Sequence, residues 1–126
     1  HVGSFIGETL RVADEVGMEE VTLGIMIGKA VKLAEGHLDT HSKKVVMNKS
    51  FLKQVAMEAE CSNDSRSVID GLTLARELWN LLSPDDAFRF FSKLIEKCYL
   101  HCRPLLPEGK LTIRLMDEEG RIFNQD

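Results

Sequence analysis

Long apolar runs are missing from this chain. In its first half the longest stretch free of charged residues is 21–28, only eight residues, against the ~20 that a membrane-spanning helix needs. No secretory signal pattern is read at the start. An excess of basic residues is missing too. Lys and Arg number 16 against 20 Asp and Glu, a net charge of −4, which is the wrong sign for a protein that coats phosphate backbones. Neither a membrane nor a nucleic acid is therefore expected as a partner. Cysteine is scarce: Cys61, Cys98 and Cys102 are too few, and odd in number, for a disulfide scaffold. Reduced thiols and a cytoplasmic location are the simpler expectation. Internal repeats and low-complexity segments are not found.

What is present is a globular composition. The 126 residues are 44% hydrophobic and 29% charged, which suits one folded domain and argues against wholesale disorder. Residues 1–126 are read as a single domain. The chain opens on His1-Val2-Gly3 rather than Met, and the expectation is a portion of a longer protein.

Hydrophobic spacing gives the order of elements. Phe5, Ile6, Leu10, Ala13 and Val16 recur at steps of three and four, a helix from Ser4 that Gly17 ends. Val21, Leu23, Ile25 and Ile27 are bulky, and their neighbours Thr22, Gly24 and Met26 are uncharged, which predicts a buried parallel strand. A helix over 29–35, ended by Gly36, follows. Residues 37–48 read as loop. Asn48 or Ser50 then caps a helix to about Glu60, and 61–66 read as a polar break. Ser67 and Asp70 open a helix whose face is Val68, Leu72, Ala75, Trp79 and Leu82. Ser83-Pro84-Asp85-Asp86 starts another, with cap, proline and acids in their favoured places. Its stripe is Phe88, Phe91, Ile95, Cys98 and Cys102. Residues 110–116 alternate as a strand, 117–120 turn, and 121–123 return, a β-hairpin. The fold class is α/β: about five helices on a small mixed sheet with a C-terminal β-hairpin, in Rossmann-like layers.

Four places could carry chemistry. The first is Gly24-Ile-Met-Ile-Gly28-Lys29, where a strand runs into a helix start that attracts anions through its free N–H groups, its dipole and an ammonium. A nucleotide-hydrolysing phosphate loop is excluded, because the glycine spacer is one residue short and Ala30 replaces the metal-binding hydroxyl. Gly28 either serves the backbone of the turn or contacts an anionic guest. The second is the loop His37-Leu-Asp39-Thr40-His41-Ser42, with two imidazoles, a carboxylate and two hydroxyls. It suits a substrate-binding loop with a group that titrates near neutrality. No fourth ligand stands by to complete a zinc site, so no metal is assigned. Thr40 or Ser42 could equally serve the loop's own backbone.

The third is a run of positive charge: Lys43, Lys44, Lys49 and Lys53 lie between Asp39 and Glu58 with no acid among them, just after Lys29 and Lys32. In an acidic protein this concentration can steer an anion, although a solvated helix face explains any single lysine. The fourth is Cys98-Tyr-Leu-His101-Cys102. The cysteines share a helix face with Phe88, Phe91 and Ile95, so they are read as core. Trp79 is read as core as well, and the acids at 117–119 as a solvated hairpin tip.

The spacing of Ser4-Phe-Ile-Gly7, Gly24-x-x-x-Gly28-Lys29-x-x-Lys32-Leu33-Ala34-x-Gly36 and Thr40-His41-Ser42 resembles the C-terminal half of the CbiD family, the cobalt-precorrin-5B C(1)-methyltransferases of anaerobic cobalamin biosynthesis. Ala75-Arg-Glu-Leu-Trp79, Arg103-Pro-Leu-Leu-Pro107 and Asp117-Glu-Glu-Gly120 are similar to the family's tail. The resemblance implies an enzyme that transfers a methyl group from S-adenosylmethionine to C1 of a cobalt-bound, ring-contracted tetrapyrrole. It implies a missing N-terminal domain as partner within the same polypeptide, and no turnover by this portion alone. On that basis His41 is the candidate catalytic residue. Gly28, Lys29, Lys32, Thr40 and Ser42 are candidates for binding the carboxylate-rich substrate, or the carboxylate of the methyl donor. The donor's sulfonium would be repelled by the lysines, and no glycine-rich cofactor loop is present, so residues binding the cofactor are not assigned. Met26, where the family pattern has His, the stretch 45–49 and the stretch 63–67 depart from it. A second class of function fits the same residues: a non-catalytic α/β module that binds an anionic metabolite or partner through its lysines.

Overall fold

The computed structural model of the chain describes residues 6–38 and 47–123. The first helix, α1 (Ile6–Glu15), buries Ile6, Leu10 and Ala13. It ends as the spacing predicts. Gly17 takes φ +74°, and the Met18 N–H closes back onto the Ala13 carbonyl at 3.0 Å, a left-handed cap that glycine accommodates without a Cβ clash. Strand β1 (Glu20–Met26) follows and passes directly into α2 (Ile27–Ala34).

Three capped helices come next. In α3 (Lys49–Glu58) the Asn48 side chain accepts the Phe51 N–H, and in α4 (Asn63–Asp70) Ser62 accepts from Ser65. A 3-10 turn (Ala75–Glu77) and the short α5 (Leu78–Leu81) lead to α6 (Pro84–Cys102), the longest element at 19 residues. Ser83 caps α6 by accepting the Asp86 N–H, with Pro84 at the helix start. A second 3-10 turn (Arg103–Leu105) precedes β2 (Lys110–Met116).

The two strands pair in parallel over seven residues, Glu20 opposite Lys110 through Met26 opposite Met116. Leu111, Ile113 and Leu115 point into the core with Ile25. There they meet α2 and α6, which are also tied together by the Cys98 thiol donating to the Ala30 carbonyl at 3.2 Å. The other face of the sheet, carrying Thr22, Gly24, Met26 and Arg114, is exposed. The outer edge of β2 is covered. The Ile113 N–H donates to the Tyr99 hydroxyl at 2.8 Å, and the Phe123 N–H to the Leu115 carbonyl at 2.8 Å. The return of the hairpin is thus a single antiparallel bridge, Met116 to Ile122.

The α/β class stands, as does the parallel strand leading into a helix. Four expectations change. β1 is not buried on both faces; only Ile25 is fully enclosed, because the helices cover one side. Residues 61–66 are not a break but the cap and first turn of α4, stabilised by Ser62. The helix expected from Ser67 through Leu82 stops at Gly71, and the chain restarts when the Glu77 carboxylate accepts the Thr73 and Leu74 N–H groups at 2.8 and 2.9 Å. In α6, Phe88 is 46% exposed, whereas Phe90 and Leu94 share the buried face with Phe91. Cys98 and Cys102 are core, as expected, and burial pushes their thiols up to about 12 and about 11. Among the described residues no helix is long and apolar enough to cross a membrane.

Candidate functional site

Because β1 and β2 run in the same direction, their C-terminal ends open on one side. Open α/β sheets bind ligands at that edge. Here Met26 and Met116 end the strands side by side, and a cleft of about 300 Å3 forms over them. Gly28 and Lys29, in the first turn of α2, line one wall. Arg76 and Trp79, from the segment before α6, line another, and Asp117 and Glu118, from the turn after β2, complete the rim. Two larger grooves exist, one of about 560 Å3 beside the end of α6 and one of about 500 Å3 between α1 and Val21. Neither lies at the C-terminal strand ends or includes one of the described residues expected to bind substrate, Gly28, Lys29 and Lys32, so the smaller cleft is the better candidate.

The α2 wall is suited to negative charge. Met26 precedes the helix with extended backbone and provides no side-chain cap, and the first turn carries no acid. Among the described residues the helix's own first turn thus adds no negative charge to its N-terminal dipole. Gly28 has ordinary helical backbone, and a Cβ built there would meet nothing within 4 Å. The turn does not require glycine for its angle, and its surface opens on the cleft. Lys29 is half-buried with its ammonium nitrogen withdrawn from solvent.

Opposite stands Arg76, which donates from Nη1 to Glu118 Oε2 at 2.7 Å. Trp79 is not wholly core. It is half-buried, lies on Phe91 with ring centroids 4.5 Å apart, and shows part of its indole to the cleft. The acidic tip is more than a solvated turn. The Asp117 carboxylate accepts the backbone N–H groups of Glu119 and Arg121 and the Arg121 Nε, each within 2.9 Å. Against the upward push of burial, these donors hold the Asp117 carboxyl below its usual range.

The structure brings only some of the sequence candidates together. Gly28 and Lys29 share the cleft. Lys32 lies one turn on, at the far end of α2, where its ammonium is 3.6 Å from Glu35 and Glu35 also accepts from the Asn48 side chain at 3.0 Å. It does not line the cleft. Lys49 and Lys53 are drawn away from it, to the C-terminal end of α4. Lys49 donates to the Asp70 carbonyl at 2.8 Å, and Lys53 pairs with the Asp70 carboxylate. Those two lysines serve a helix end rather than an anionic guest. Thr40, His41 and Ser42, with Lys43 and Lys44, lie outside the described residues. Among the described residues no three His, Cys, Asp or Glu side chains gather as metal ligands. Arg76 and Glu118 were not singled out as site residues. They lie 42 positions apart, and only the fold brings them together.

Comparison with known proteins gives the family. The family model of the CbiD C-terminal domain matches residues 39–126. A cobalt-precorrin-5B C(1)-methyltransferase of Prosthecochloris aestuarii is 31% identical over 117 residues, covering 92% of this chain and 32% of the relative. Those of Priestia megaterium and Thermus thermophilus are 34% and 31% identical, covering 86% and 95% of this chain. The chain spans about a third of the length of these relatives. No solved structure matches. With the family model covering more than half of its residues, and relatives above 30% identity along nearly all of it, the chain belongs to the CbiD family, its residues 39–126 matching the family's C-terminal domain.

Proposed function

We propose that this domain is the substrate-docking part of a cobalt-precorrin-5B C(1)-methyltransferase, the complete enzyme methylating C1 of the tetrapyrrole with S-adenosylmethionine as donor. The observation that supports this best is the cleft at the shared end of β1 and β2. It faces an uncapped helix start with Lys29 on one side and Arg76 on the other. A precorrin carries many carboxylate arms, and cationic donors beside free backbone N–H groups are the chemistry that holds them. Trp79, Met26 and Met116 give the same cleft an apolar floor for the edge of a flat macrocycle.

The cleft does not suit the methyl donor. Its two cations oppose a sulfonium, and Asp117 is committed to the tip. No described residue is therefore assigned to S-adenosylmethionine, and no step is derived through it. Methyl transfer depends on holding donor and acceptor in line more than on an acid or base, so the contribution of this domain is to hold the acceptor. In this reading His41, with Thr40 and Ser42, completes the substrate contact and supplies a group that titrates near neutrality. Lys32, at the far end of α2, does not line the cleft.

The test combines this chain with the remaining portion represented in its relatives, adds S-adenosylmethionine and cobalt-precorrin-5B, and follows the product by mass spectrometry. Gain of one methyl group by the complete assembly, and none with this chain alone, is the expected result. An assembly that neither binds the donor in calorimetry nor methylates the tetrapyrrole overturns the reading. Salt-sensitive binding of polycarboxylates without methyl transfer would instead leave a non-catalytic binding module.

A further inference from the structure

We propose that Arg76 is a carboxylate receptor in the cleft and that Glu118 is an internal stand-in, occupying Arg76 until a carboxylate of the guest displaces it. This deepens the anionic-guest reading above and rests on it.

Three observations carry the proposal. The first is position. Both residues line the cleft together with Trp79, and their bond joins the 3-10 turn before α5 to the tip after β2. The second is the contrast with the neighbouring acids. Glu77 accepts two backbone N–H groups, and Asp117 accepts two more together with the Arg121 guanidinium. Both are built into the backbone. Among the described residues the Glu118 carboxylate bonds to Arg76 alone. The third is exposure. The side chains are 55% and 57% exposed, where an ion pair gains little over hydration and exchanges readily.

A guanidinium presents a planar fork of donors that takes a carboxylate in two parallel bonds. An incoming carboxylate can take over that fork while Glu118 swings into water. The exchange makes and breaks hydrogen bonds only. The size of the cleft limits what enters. About 300 Å3 is the lower end of ordinary ligand pockets, enough for a ring edge with one acidic arm rather than a whole tetrapyrrole. Arg76 would thus read one arm of the guest, and Glu118 would set the threshold for its entry.

The test is calorimetric titration with uroporphyrin, an octacarboxylate tetrapyrrole, at low salt. Five proteins are compared: the natural chain, Arg76→Gln, Glu118→Gln, the double variant and Lys29→Gln. Thermal melts establish that each is folded, as expected for the exposed Arg76 and Glu118 and as a control for the half-buried Lys29. Removing the receptor should weaken binding about tenfold. Removing the stand-in should tighten it about two- to fivefold. The double variant should bind like Arg76→Gln, because the gain from losing Glu118 exists only through Arg76. If Glu118→Gln leaves affinity unchanged or lowers it, the stand-in role is overturned, and weakening by Lys29→Gln in the same series would leave the anionic-guest reading standing. If none of the five proteins binds the probe, both are overturned.

Discussion

Two carboxylates each tie together segments far apart in sequence, and they do so in opposite ways. Asp86, in the first turn of α6, is 4% exposed. Its Oδ2 accepts the Ser62 and Ser65 hydroxyls at 2.6 Å each and the Ser62 N–H at 3.1 Å. Its other oxygen faces Arg89 at 3.3 Å. The start of α4 is thereby fastened to the start of α6. Glu118 reaches its partner by one exposed contact. The comparison separates a structural acid from an exchangeable one by what surrounds it rather than by residue type. A carboxylate saturated by hydroxyl and backbone donors has no capacity left for a guest. One held by a single solvent-facing guanidinium can give that partner up.

The largest expected effect follows at the buried end of this contrast. Replacing Asp86 by Ala strips the buried Ser65 hydroxyl, the Ser62 hydroxyl and the Ser62 N–H of their acceptor at once, and should cost about 3 kcal/mol of stability. In a thermal melt this corresponds to a midpoint lower by about 10 °C. A loss no larger than that of an exposed charge would mean that the network is not a structural tie. The same residue gives an acid dependence. The Ser62 and Ser65 hydroxyls hold the Asp86 carboxyl down at about 2, from an ordinary value of 3.8. Because the folded state binds this proton less readily than the unfolded state, the contribution is complete above pH ~4 and is lost as the pH falls towards 2. Urea midpoints of the natural chain and Asp86→Asn, measured through that window, should converge at its acid end.

How much of this was legible in the sequence differs between the same two regions. The cap of α6 was, since Ser83-Pro84-Asp85-Asp86 is a local signal that acts within one turn, and the structure shows Ser83 accepting the Asp86 N–H. What that signal could not say is that Asp86 also reaches α4. Helix α4 itself leaves little trace in the sequence because its apolar residues are few. Ser62 and the acid at Asp64 mark its start, but Ser65, one of its two buried residues, is polar. Residues 67–82 kept a helical period across Gly71, and periodicity does not register that Glu77 can cap a new turn. Within the candidate site, Gly28 and Lys29 could be found because a strand, a turn and a helix start are contiguous. Arg76 and Glu118 could not, because exposed polar residues follow no period and their meeting depends on the fold setting the tip after β2 beside the 3-10 turn. Two lysines of the run show the same limit: Lys49 and Lys53 look free in sequence, yet the fold gives them Asp70.

The exposed end of the contrast predicts a small change. Arg76→Gln and Glu118→Gln should each alter stability by no more than about 0.5 kcal/mol, although both shift ligand affinity. Equal losses for these variants and for Asp86→Ala would erase the distinction between the two carboxylates.

A last substitution lies next to the buried network and should move stability the other way. Glu60 is a non-glycine residue with positive φ, at +60°. It holds the position at the end of α3 that Gly17 and Gly36 hold after α1 and α2, and the Cys61 N–H closes back onto the Ala56 carbonyl at 2.9 Å just as Met18 does onto Ala13. A side chain there bears the steric cost of the left-handed region, which glycine avoids. Its side chain is exposed. Glu60→Gly should therefore stabilise the chain by about 0.5 kcal/mol, the relief of strain being partly offset by the greater freedom of glycine in the unfolded chain. A denaturation midpoint that rises with an unchanged slope is the expected reading, and a fall would show that this turn draws support from the glutamate that the backbone geometry does not reveal.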